Sequence, residues 1–507
     1  MYTFHALREE LLETSSPRPL DGDVADIAGI RSVGDCSLRY VYRAESLRAP
    51  DDGMVLTSQP ELPGRWELVH QGQGDFRWFG VFDEKTPADT ALESMLGDTS
   101  ISCISAHTPL NFQKRHRIRR SCICLDFLGN TVTAKGIEEA PHNDPFSGIL
   151  HFTGEAVGEI HTVILTAPLS EQYDIFEVPD TTSFLVGSWW RVSCNALVGS
   201  EEKEIDKLLM VTEIIDASHV RFNYKMGWRL EAGRTLFYRQ IHPVCDVQVQ
   251  NMSFVGNEGG EAVGAQPVAF EFAVNCNAIG LHARHTYWPV ILRRHNTGYR
   301  TSQCSLLNPT EVVVGGTGYL TQQIHCLYGS VRDCTTSNAR HLNDFTGSAY
   351  CQVENCHGDG DFHGAFVTHG QFEHDLTYVG NSGLLSFANS GPTWGSSAKR
   401  ITVQHHTGCW GLGFAKVTDL TLVDVAMHHT EKYEESGTLL LNADGLQVRG
   451  CRADRLVLTQ RSSRSERPCV IENSYFRDGI LISRDGEAAV TTRVIANNNR
   501  EGSIADE

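Results

Sequence analysis

A four-residue pattern recurs through the second half of the chain, from about residue 245 onward. It consists of an apolar residue, a variable residue, a residue that tolerates a bend, and a small or cysteine-like residue, most clearly at 331–334, 353–356 and 448–451. Copies follow one another at intervals of roughly 20 to 30 residues, a period typical of solenoids, in which each coil packs only on its neighbours. The pattern therefore predicts a stack of coils.

The third position of the pattern is where the chain is expected to bend. Eight of its ten residues are Asn, Asp or Gly, the types that best tolerate a left-handed backbone conformation. The ten positions are Asn251, Asn275, Gln303, Asp333, Asn355, Gly380, His405, Asp424, Gly450 and Asn473. Two positions earlier the residue is apolar in nine of ten copies, which predicts an inward-pointing side chain. Those positions are Val249, Ala273, Thr301, Val331, Val353, Tyr378, Val403, Leu422, Val448 and Ile471.

The fourth position explains part of the high cysteine content. Five of the 15 cysteines occupy it, where a small polarizable side chain suits a repeated interior slot. The ten residues are Met252, Cys276, Cys304, Cys334, Cys356, Asn381, His406, Val425, Cys451 and Ser474. The cysteine number is odd and no paired CxxC zinc pattern is present, so buried thiols are favoured over disulfides or a metal site.

Short β-type runs precede the predicted bends and Gly-rich turns follow them, without the 3.6-residue periodicity of a helical solenoid. The predicted fold class is an all-β, single-stranded parallel β-helix with coils stacked at roughly 4.8 Å. We divide the chain into 1–70, an N-terminal attachment or capping region; 71–154, the β-helix entry; 155–240, a β-rich insertion; 241–480, the main β-helix; and 481–507, a C-terminal tail or cap. A capping helix is predicted after Thr86 and Pro87, with Ala91, Leu92 and Met95 at helical spacing.

Composition narrows the function classes. With 41% hydrophobic and 21% charged residues, the chain is an ordinary folded soluble protein. Its net charge of −19 disfavours nucleic acid as a partner, and an acidic polysaccharide would need a local cluster of cations. Glu9, Glu10 and Glu13 interrupt the N-terminal segment, so we expect no signal peptide. No run approaches 18 apolar residues, so we expect no membrane insertion, and we also expect no cofactor.

Several motifs resemble a known family. They are Trp-Phe-Gly at 78–80, Asp-Thr-Ala-Leu at 89–92, and the segments 186–192, 315–320, 355–361 and 368–370. Between about residues 76 and 480 the chain resembles the pectate-lyase-like tailspike depolymerases of phages that attack encapsulated enterobacteria such as Klebsiella. The resemblance implies a right-handed β-helix, a homotrimer on the virion tail with possible attachment through the N-terminal region, and a bacterial surface polysaccharide as partner, bound along the coils or between subunits.

The densest group of polar residues spans three predicted coils between residues 340 and 375. Glycoside hydrolysis needs a carboxylic acid and a second carboxylate, for which Asp359, Asp361 and Glu373 are the candidates, with Asp344 in reserve. A lyase needs a base and a cation beside a uronate, and this favours His363, His341 and Arg340. Alternatively, Asp359 and Asp361 only bend a Gly-rich turn, or hold Ca²⁺, although the EF-hand pattern is absent and we predict no metal.

A second stretch, 282–295, interleaves cations with aromatic rings and suits sugar faces and anionic groups. The predicted substrate-binding residues are Arg284, His285, Tyr287, Trp288, Arg293 and Arg340. The alternative is that the aromatic rings are half-buried at a coil edge and the arginines are solvated or paired with acids.

The sequence thus predicts a depolymerase of capsular polysaccharide or exopolysaccharide, with hydrolase and lyase both open. The first alternative is a tail adhesin that binds polysaccharide without cutting it. The second is a purely structural spike.

Overall fold

The computed structural model describes residues 1–13, 18–57, 64–137, 148–198, 202–256, 266–313, 315–360, 364–387, 397–459, 468–483, 494–497 and 504–506. Regular structure in these ranges is almost entirely β. The helical elements are the α-helices Arg8–Glu13 and Asp89–Gly97 and the 3₁₀-helix Phe76–Phe79. Within the described ranges, none of these helices has the length and apolarity needed to cross a bilayer.

Within the described ranges, parallel pairing joins 32 strands into one coiled sheet. The strands that enter it are Gln73–Asp75, Cys103–Ser105, Leu110–Asn111, His116–Ile118, Ile123–Asp126, Thr131–Thr133 and Leu150–Thr153. The strands of its main part are Val244–Cys245, Val247–Val255, Val268–Val274, Asn277–Arg284, Ile291–Ser302, Ser305–Leu307, Tyr319–Ile324, Leu327–Arg332, Thr335–Ala339, His341–Thr346, Gln352–Glu354, His357–Gly360, Phe366–Thr368, Gln371–Val379, Leu385–Phe387, Ser397–Gln404, Trp410–Thr418, Thr421–Val423, Thr438–Asp444, Gln447–Arg449, Arg455–Thr459, Cys469–Glu472, Ile480–Ser483, Val494–Asn497 and Ile504–Asp506. The predicted parallel β-helix is therefore confirmed.

Each coil has three faces, as residues 327–346 illustrate. Leu327–Arg332 lies on face A, Thr335–Ala339 on face B and His341–Thr346 on face C, and each pairs in parallel with a strand one coil later. We call the turn from face A to face B the first corner, and the turn from face C to face A the second corner.

The left-handed conformation predicted for the corner residues is confirmed. All ten have positive φ, for example 54° at Asp333, 51° at Asn355 and 66° at Gly380. At the first corner, side-chain amides link successive coils, as when Nδ2 of Asn355 donates to Oδ1 of Asp333 over 2.6 Å. The residue types in the pattern thus reflect a backbone requirement together with hydrogen bonding along the stack.

One predicted coil was assigned to the wrong corner. Gly280, with φ of 65°, stacks on Asn251 at the first corner, whereas Asn275 lies at the second corner. In the same coil Ala278 and Leu281 replace the predicted Ala273 and Cys276. The error has a physical cause: both corners require positive φ beside a buried side chain, so both produce the same four-residue pattern.

The five cysteines predicted to share one interior column are divided between two. Four of the five predicted residues, Cys304, Cys334, Cys356 and Cys451, remain in the first column and are buried. Cys276 belongs to a second column, which follows the second corner and also includes Cys351. All 15 cysteines have free thiols, as expected. Sulfur fills these slots as a small hydrophobe, since the interior demands close packing.

A five-stranded sheet and the capping helix precede the main coils. The strands of that sheet are Tyr2–His5, Val24–Ile27, Leu38–Arg43, Arg65–Leu68 and Val55–Leu56, in spatial order. The predicted helix is present as Asp89–Gly97, with Ala91, Leu92 and Met95 buried. Asp89 anchors it by accepting the backbone N–H groups of Gln113 at 3.0 Å and Lys114 at 3.1 Å.

Residues 155–242, which we call the insertion, leave the coil after face C and return before face A, at the second corner. Their strands form a six-stranded sheet and are Glu155–Ile164, Thr235–His242, Trp189–Cys194, Asp206–Ile214, His219–Phe222 and Ile175–Glu177, in spatial order. Because it emerges at a corner, the insertion packs on that corner in later coils, where its core includes Leu327 and Ala349.

Near the end of the chain four short strands continue the stack of face B, to which isolated bridges through Ser382 connect them. They are Thr407–Gly408, Ala426–Met427, Arg452–Ala453 and Tyr475–Phe476, all after the first corner.

Candidate functional site

The predicted catalytic residues lie on different parts of the coils. Asp344 is on face C, Glu373 is beside the second corner one coil later, and Asp359 is on face B. Asp361 and His363 lie outside the described residues. Closeness in sequence therefore did not place all of the predicted carboxylates in one group, because Asp359 lies apart on face B.

Asp359 is exposed and supports a turn. Its Oδ1 accepts the backbone N–H of Asn338 at 2.9 Å and its Oδ2 accepts the hydroxyl of Ser337 at 3.3 Å. Asn338 has φ of 55°, so the carboxylate stabilises a left-handed turn in the preceding coil. These contacts favour the turn-forming interpretation, while the proposed catalytic role of Asp359 stays a prediction.

Asp344 forms a buried ion pair on face C. Its neighbour Phe345 points into the core, so Asp344 points to the outer side of the strand, where it is nevertheless 0% exposed. Its Oδ2 lies 3.0 Å from Nε2 of His369, whose side chain keeps 13% exposure. Burial opposes ionisation of Asp344, but His369 outweighs it and lowers the carboxyl pKa; reciprocally, Asp344 overcomes burial and raises the pKa of His369. Each partner therefore favours the charged form of the other.

Glu373 has the opposite electrostatic environment. It is 0% exposed, and burial raises its pKa to about 7. Oε1 accepts the backbone N–H of Gly347 at 2.7 Å, whereas Oε2 has no hydrogen-bond partner within the described part of the chain. Lys207 of the insertion donates to the carbonyl of Gly347, and burial lowers its pKa to about 8. The protonated and ionised forms of Glu373 are therefore close in free energy near pH 7.

Asp344, His369 and Glu373 together provide complementary acid–base groups. The charge of His369 acts on both carboxyl groups, in a hydrogen-bonded pair with Asp344 and at longer range on Glu373. One carboxyl is held ionised and the other is held near its titration point. Paired carboxyls with diverging pKa values are the arrangement that acid–base hydrolysis uses.

Two of the predicted sugar-binding rings are buried. Tyr287 is 7% exposed and Trp288 is 4% exposed, and their rings meet edge to face at 5.0 Å. The predicted stacking of sugar faces on these rings is wrong for this conformation, because the ring faces pack against protein. The burial alternative describes them better.

Arg293 is a core residue, which is a second correction. It is 0% exposed, and its guanidinium lies between the rings of Phe270, at 4.6 Å, and Tyr299, at 4.5 Å. Its NH1 also donates to the carbonyl of Cys276 at 2.9 Å. Cation–π contacts and carbonyl acceptors replace the solvent shell, so this arginine stabilises the interior and is inaccessible to a polysaccharide.

The other predicted binding cations remain nearer the surface. Arg284 is exposed and His285 partly exposed on face B. Arg340 is partly exposed and donates to the carbonyls of Val312 and Val313, so part of its hydrogen-bonding capacity holds a loop. Their role in binding stays a prediction.

The sequence pattern missed an open groove beside the last short strands of face B. Its volume is about 870 Å³, and it runs along the first corner from Asp424 to Asn473. His428, His429, Arg452, Asp454 and Tyr475 also line it. The Asp454 carboxylate lies 3.8 Å from Nδ1 of His429, and Tyr475 is 37% exposed. An exposed ring among carboxylates and cations is a suitable surface for sugars, but its residues come from separate coils and form no dense run in the sequence.

The coiled architecture is similar to that of three solved phage tailspikes. For the tailspike of Acinetobacter baumannii bacteriophage AP22, in complex with A. baumannii capsular saccharide, the TM-score is 0.57 at 10% identity, over 86% of this chain and 76% of that chain. For the Pseudomonas phage phi297 tailspike the TM-score is 0.59 at 13% identity, over 85% and 81%. For the Pseudomonas phage LKA1 tailspike it is 0.51 at 12% identity, over 83% and 72%. At these identities the likeness establishes a shared fold.

Sequence comparison does not assign the chain to a family. No protein-family model matches the chain, and no curated protein matches it.

Proposed function

We propose that this protein is a tailspike-type depolymerase that binds and cleaves a bacterial capsular polysaccharide or exopolysaccharide. Support comes from the β-helix and from its likeness to the AP22 tailspike, which was solved with a capsular saccharide. On this proposal the protein is a homotrimer of the virion tail, with the N-terminal region as its attachment. The sequence motifs add the proposal that it belongs with depolymerases of the Klebsiella-phage type.

The proposed catalytic centre is Asp344, Glu373 and His369. Glu373 is the proton donor to the glycosidic oxygen, because its pKa of about 7 keeps it substantially protonated near neutrality. Asp344 is the ionised partner, base or nucleophile, and His369 orients it through the 3.0 Å contact. The opposite pKa shifts of the two buried carboxyls are the observation that carries this assignment.

A non-catalytic polysaccharide adhesin is the second candidate function. The complete burial of Asp344 and Glu373 favours it, since a glycosidic bond must come within hydrogen-bond reach of both groups. On this alternative the 870 Å³ groove beside Tyr475 holds the polysaccharide, and the buried groups only stabilise the coils.

The deciding experiment incubates the protein with purified capsules and measures new reducing ends and the ultraviolet absorbance of unsaturated uronates. Reducing ends alone indicate a hydrolase, and absorbance with them indicates a lyase, for which Arg340, His341 and His363 are the candidates. Binding without shortening supports the adhesin.

Variants then locate the site. Asp344→Asn and Glu373→Gln should abolish cleavage while retaining binding and the β-sheet circular dichroism spectrum, and Asp359→Asn is the matched control at an exposed carboxylate. If only Asp359→Asn lost cleavage, the active site would instead be assigned to face B. If Asp454→Asn removes activity while Glu373→Gln keeps it, the groove is the active site.

A further inference from the structure

Three groups with metal-ligating atoms meet where the insertion packs on the second corner. Asp206 begins the insertion strand Asp206–Ile214, and His295 and His325 are second-corner residues of consecutive coils. One ligand atom from each residue lies within 4.8 Å of the other two. Nε2 of His295 is 2.9 Å from Oδ1 of Asp206. Two imidazoles and one carboxylate therefore converge from separate segments of the chain.

The backbone of the coils holds the two imidazoles in place. His295 and His325 have φ of 51° and 56°, the conformation that the corner imposes. Their rings stack at 5.3 Å, and Phe272 stacks on the other side of His295 at 5.1 Å. Coil stacking thus positions both rings before any ligand binds, which reduces the entropic cost of assembling a site.

Hydrogen bonding accounts for only part of this cluster, namely the bond between Nε2 of His295 and Oδ1 of Asp206. Nδ1 of His295 is buried and has no hydrogen-bond partner among the residues described. The ring of His325 is partly buried and, within the described ranges, makes no hydrogen bond to another side chain or to the backbone. A buried polar atom without a partner is destabilising, so hydrogen bonding alone leaves the cluster incompletely satisfied.

The carboxylate is oriented from its other side. Nε of Arg191 donates to Oδ1 of Asp206 at 2.8 Å, and its terminal nitrogen donates to Oδ2 at 2.7 Å. Arg191 thus fixes the plane of the Asp206 carboxylate, with Oδ1 turned toward Nε2 of His295.

We propose that Asp206, His295 and His325 form a binding site for a divalent transition-metal ion, with Zn²⁺ as the reference ion, that fastens the insertion to the β-helix. Two imidazoles and a carboxylate are a donor set that Zn²⁺ and its first-row neighbours accept. The partial exposure of His325 leaves a path for the ion and a position for a water ligand. This site does not depend on the proposed polysaccharide chemistry.

The test titrates the chelator-treated full-length protein with ZnCl₂ in a calorimeter and records thermal unfolding with and without Zn²⁺. We expect one Zn²⁺ per chain and a higher unfolding midpoint, because an ion that binds only the folded state stabilises it. His325→Ala should weaken binding by at least about 100-fold and abolish the thermal shift. Because His325 is partly exposed, this variant is the one expected to keep the fold.

His405→Ala is the matched control. His405 has the same left-handed conformation, with φ of 52°, but lies at the first corner with a 61% exposed side chain. It should bind Zn²⁺ as the parent does. Folded protein that binds no Zn²⁺ at millimolar concentration overturns the proposal. So does His325→Ala with undiminished binding, because the ion then occupies other ligands.

Discussion

The two corners of the coil use the same backbone conformation for different purposes. At the first corner, Asp424 and His405 have 55% and 61% exposed side chains and face solvent 3.5 Å apart. At the second corner, His295 and His325 have the same positive φ, but the insertion packs on them through Asp206, and its Lys207 donates to Gly347 nearby. The shared conformation selects the residue types, whereas burial decides whether their charges are ordinary or strongly shifted.

The largest expected effect concerns activity at the covered corner. Glu373→Gln keeps the shape and the contact with Gly347 but cannot release a proton, so kcat for capsule cleavage should fall by about 10²- to 10⁴-fold. Asp359→Asn, at the exposed turn, should change kcat less than about two-fold. The measurement is the initial rate of reducing-end formation, and equal losses in both variants would remove the distinction.

Stability should differ between the corners almost as much. Asp206→Ala leaves Arg191 and His295 without their buried carboxylate, which should lower the free energy of unfolding by about 3–5 kcal/mol. Asp333→Ala removes an exposed first-corner hydrogen bond to Asn355 and should cost about 1 kcal/mol or less. Urea unfolding followed by circular dichroism checks both, and similar midpoints for the two variants would contradict the comparison.

The pH dependence of stability tests the burial of Glu373. Its pKa rises from 4.5 to about 7 on folding, so the unfolded chain loses this proton at a lower pH than the folded protein. The free energy of unfolding should therefore fall as pH rises from about 4.5 to 7, by about 3 kcal/mol from this group. Glu373→Gln should flatten that part of the profile in urea titrations at successive pH values. An unchanged slope would place the ionised carboxylate in contact with solvent.

The smallest effect compares two glycines. A Cβ at Gly347 would lie 2.6 Å from Nδ1 of His325, whereas a Cβ at Gly380 meets nothing within 4 Å. Gly347→Ala combines that clash with a positive φ and should cost about 1–3 kcal/mol. Gly380→Asn should stay within about 0.5 kcal/mol, because Asn tolerates this conformation and occupies it at Asn355. Thermal unfolding midpoints of the two variants would show whether the substitution at the first corner is less destabilising than the one at the second corner.

The repeat predicted the fold because every coil needs a residue that tolerates positive φ at its corner, and that need is local in sequence. Positive φ at Asp333, Asn355 and Asn473 follows from the residue type together with its fixed place in the repeat. The same reasoning assigned Asn275 to the wrong corner, because the type of a corner residue does not indicate which of the two corners it forms. The helix after Pro87 was also predictable, because its apolar spacing and its start are local signals.

The candidate site was only partly predictable. The sequence pointed to Asp344 and Glu373 through the density of polar residues, but it also selected Arg293, which the coil turns inward between Phe270 and Tyr299. Inward and outward positions alternate along a strand, so an error of one residue in register reverses the assignment. His369 had no independent signal, because its role depends on a carboxylate from the preceding coil.

By itself the sequence determined a stack of coils with left-handed corners and a thiol-rich interior, because those features depend on neighbours within one repeat. The tertiary structure decided which corner the insertion covers, and therefore which histidines, lysines and carboxyls lose their solvent. Residues 155–242 dock on coils that come much later in the chain, as when Tyr224 contacts Nε2 of His374 at 2.7 Å. Contacts of that kind, and the desolvation that follows from them, are set by three-dimensional packing and leave no periodic trace in the sequence.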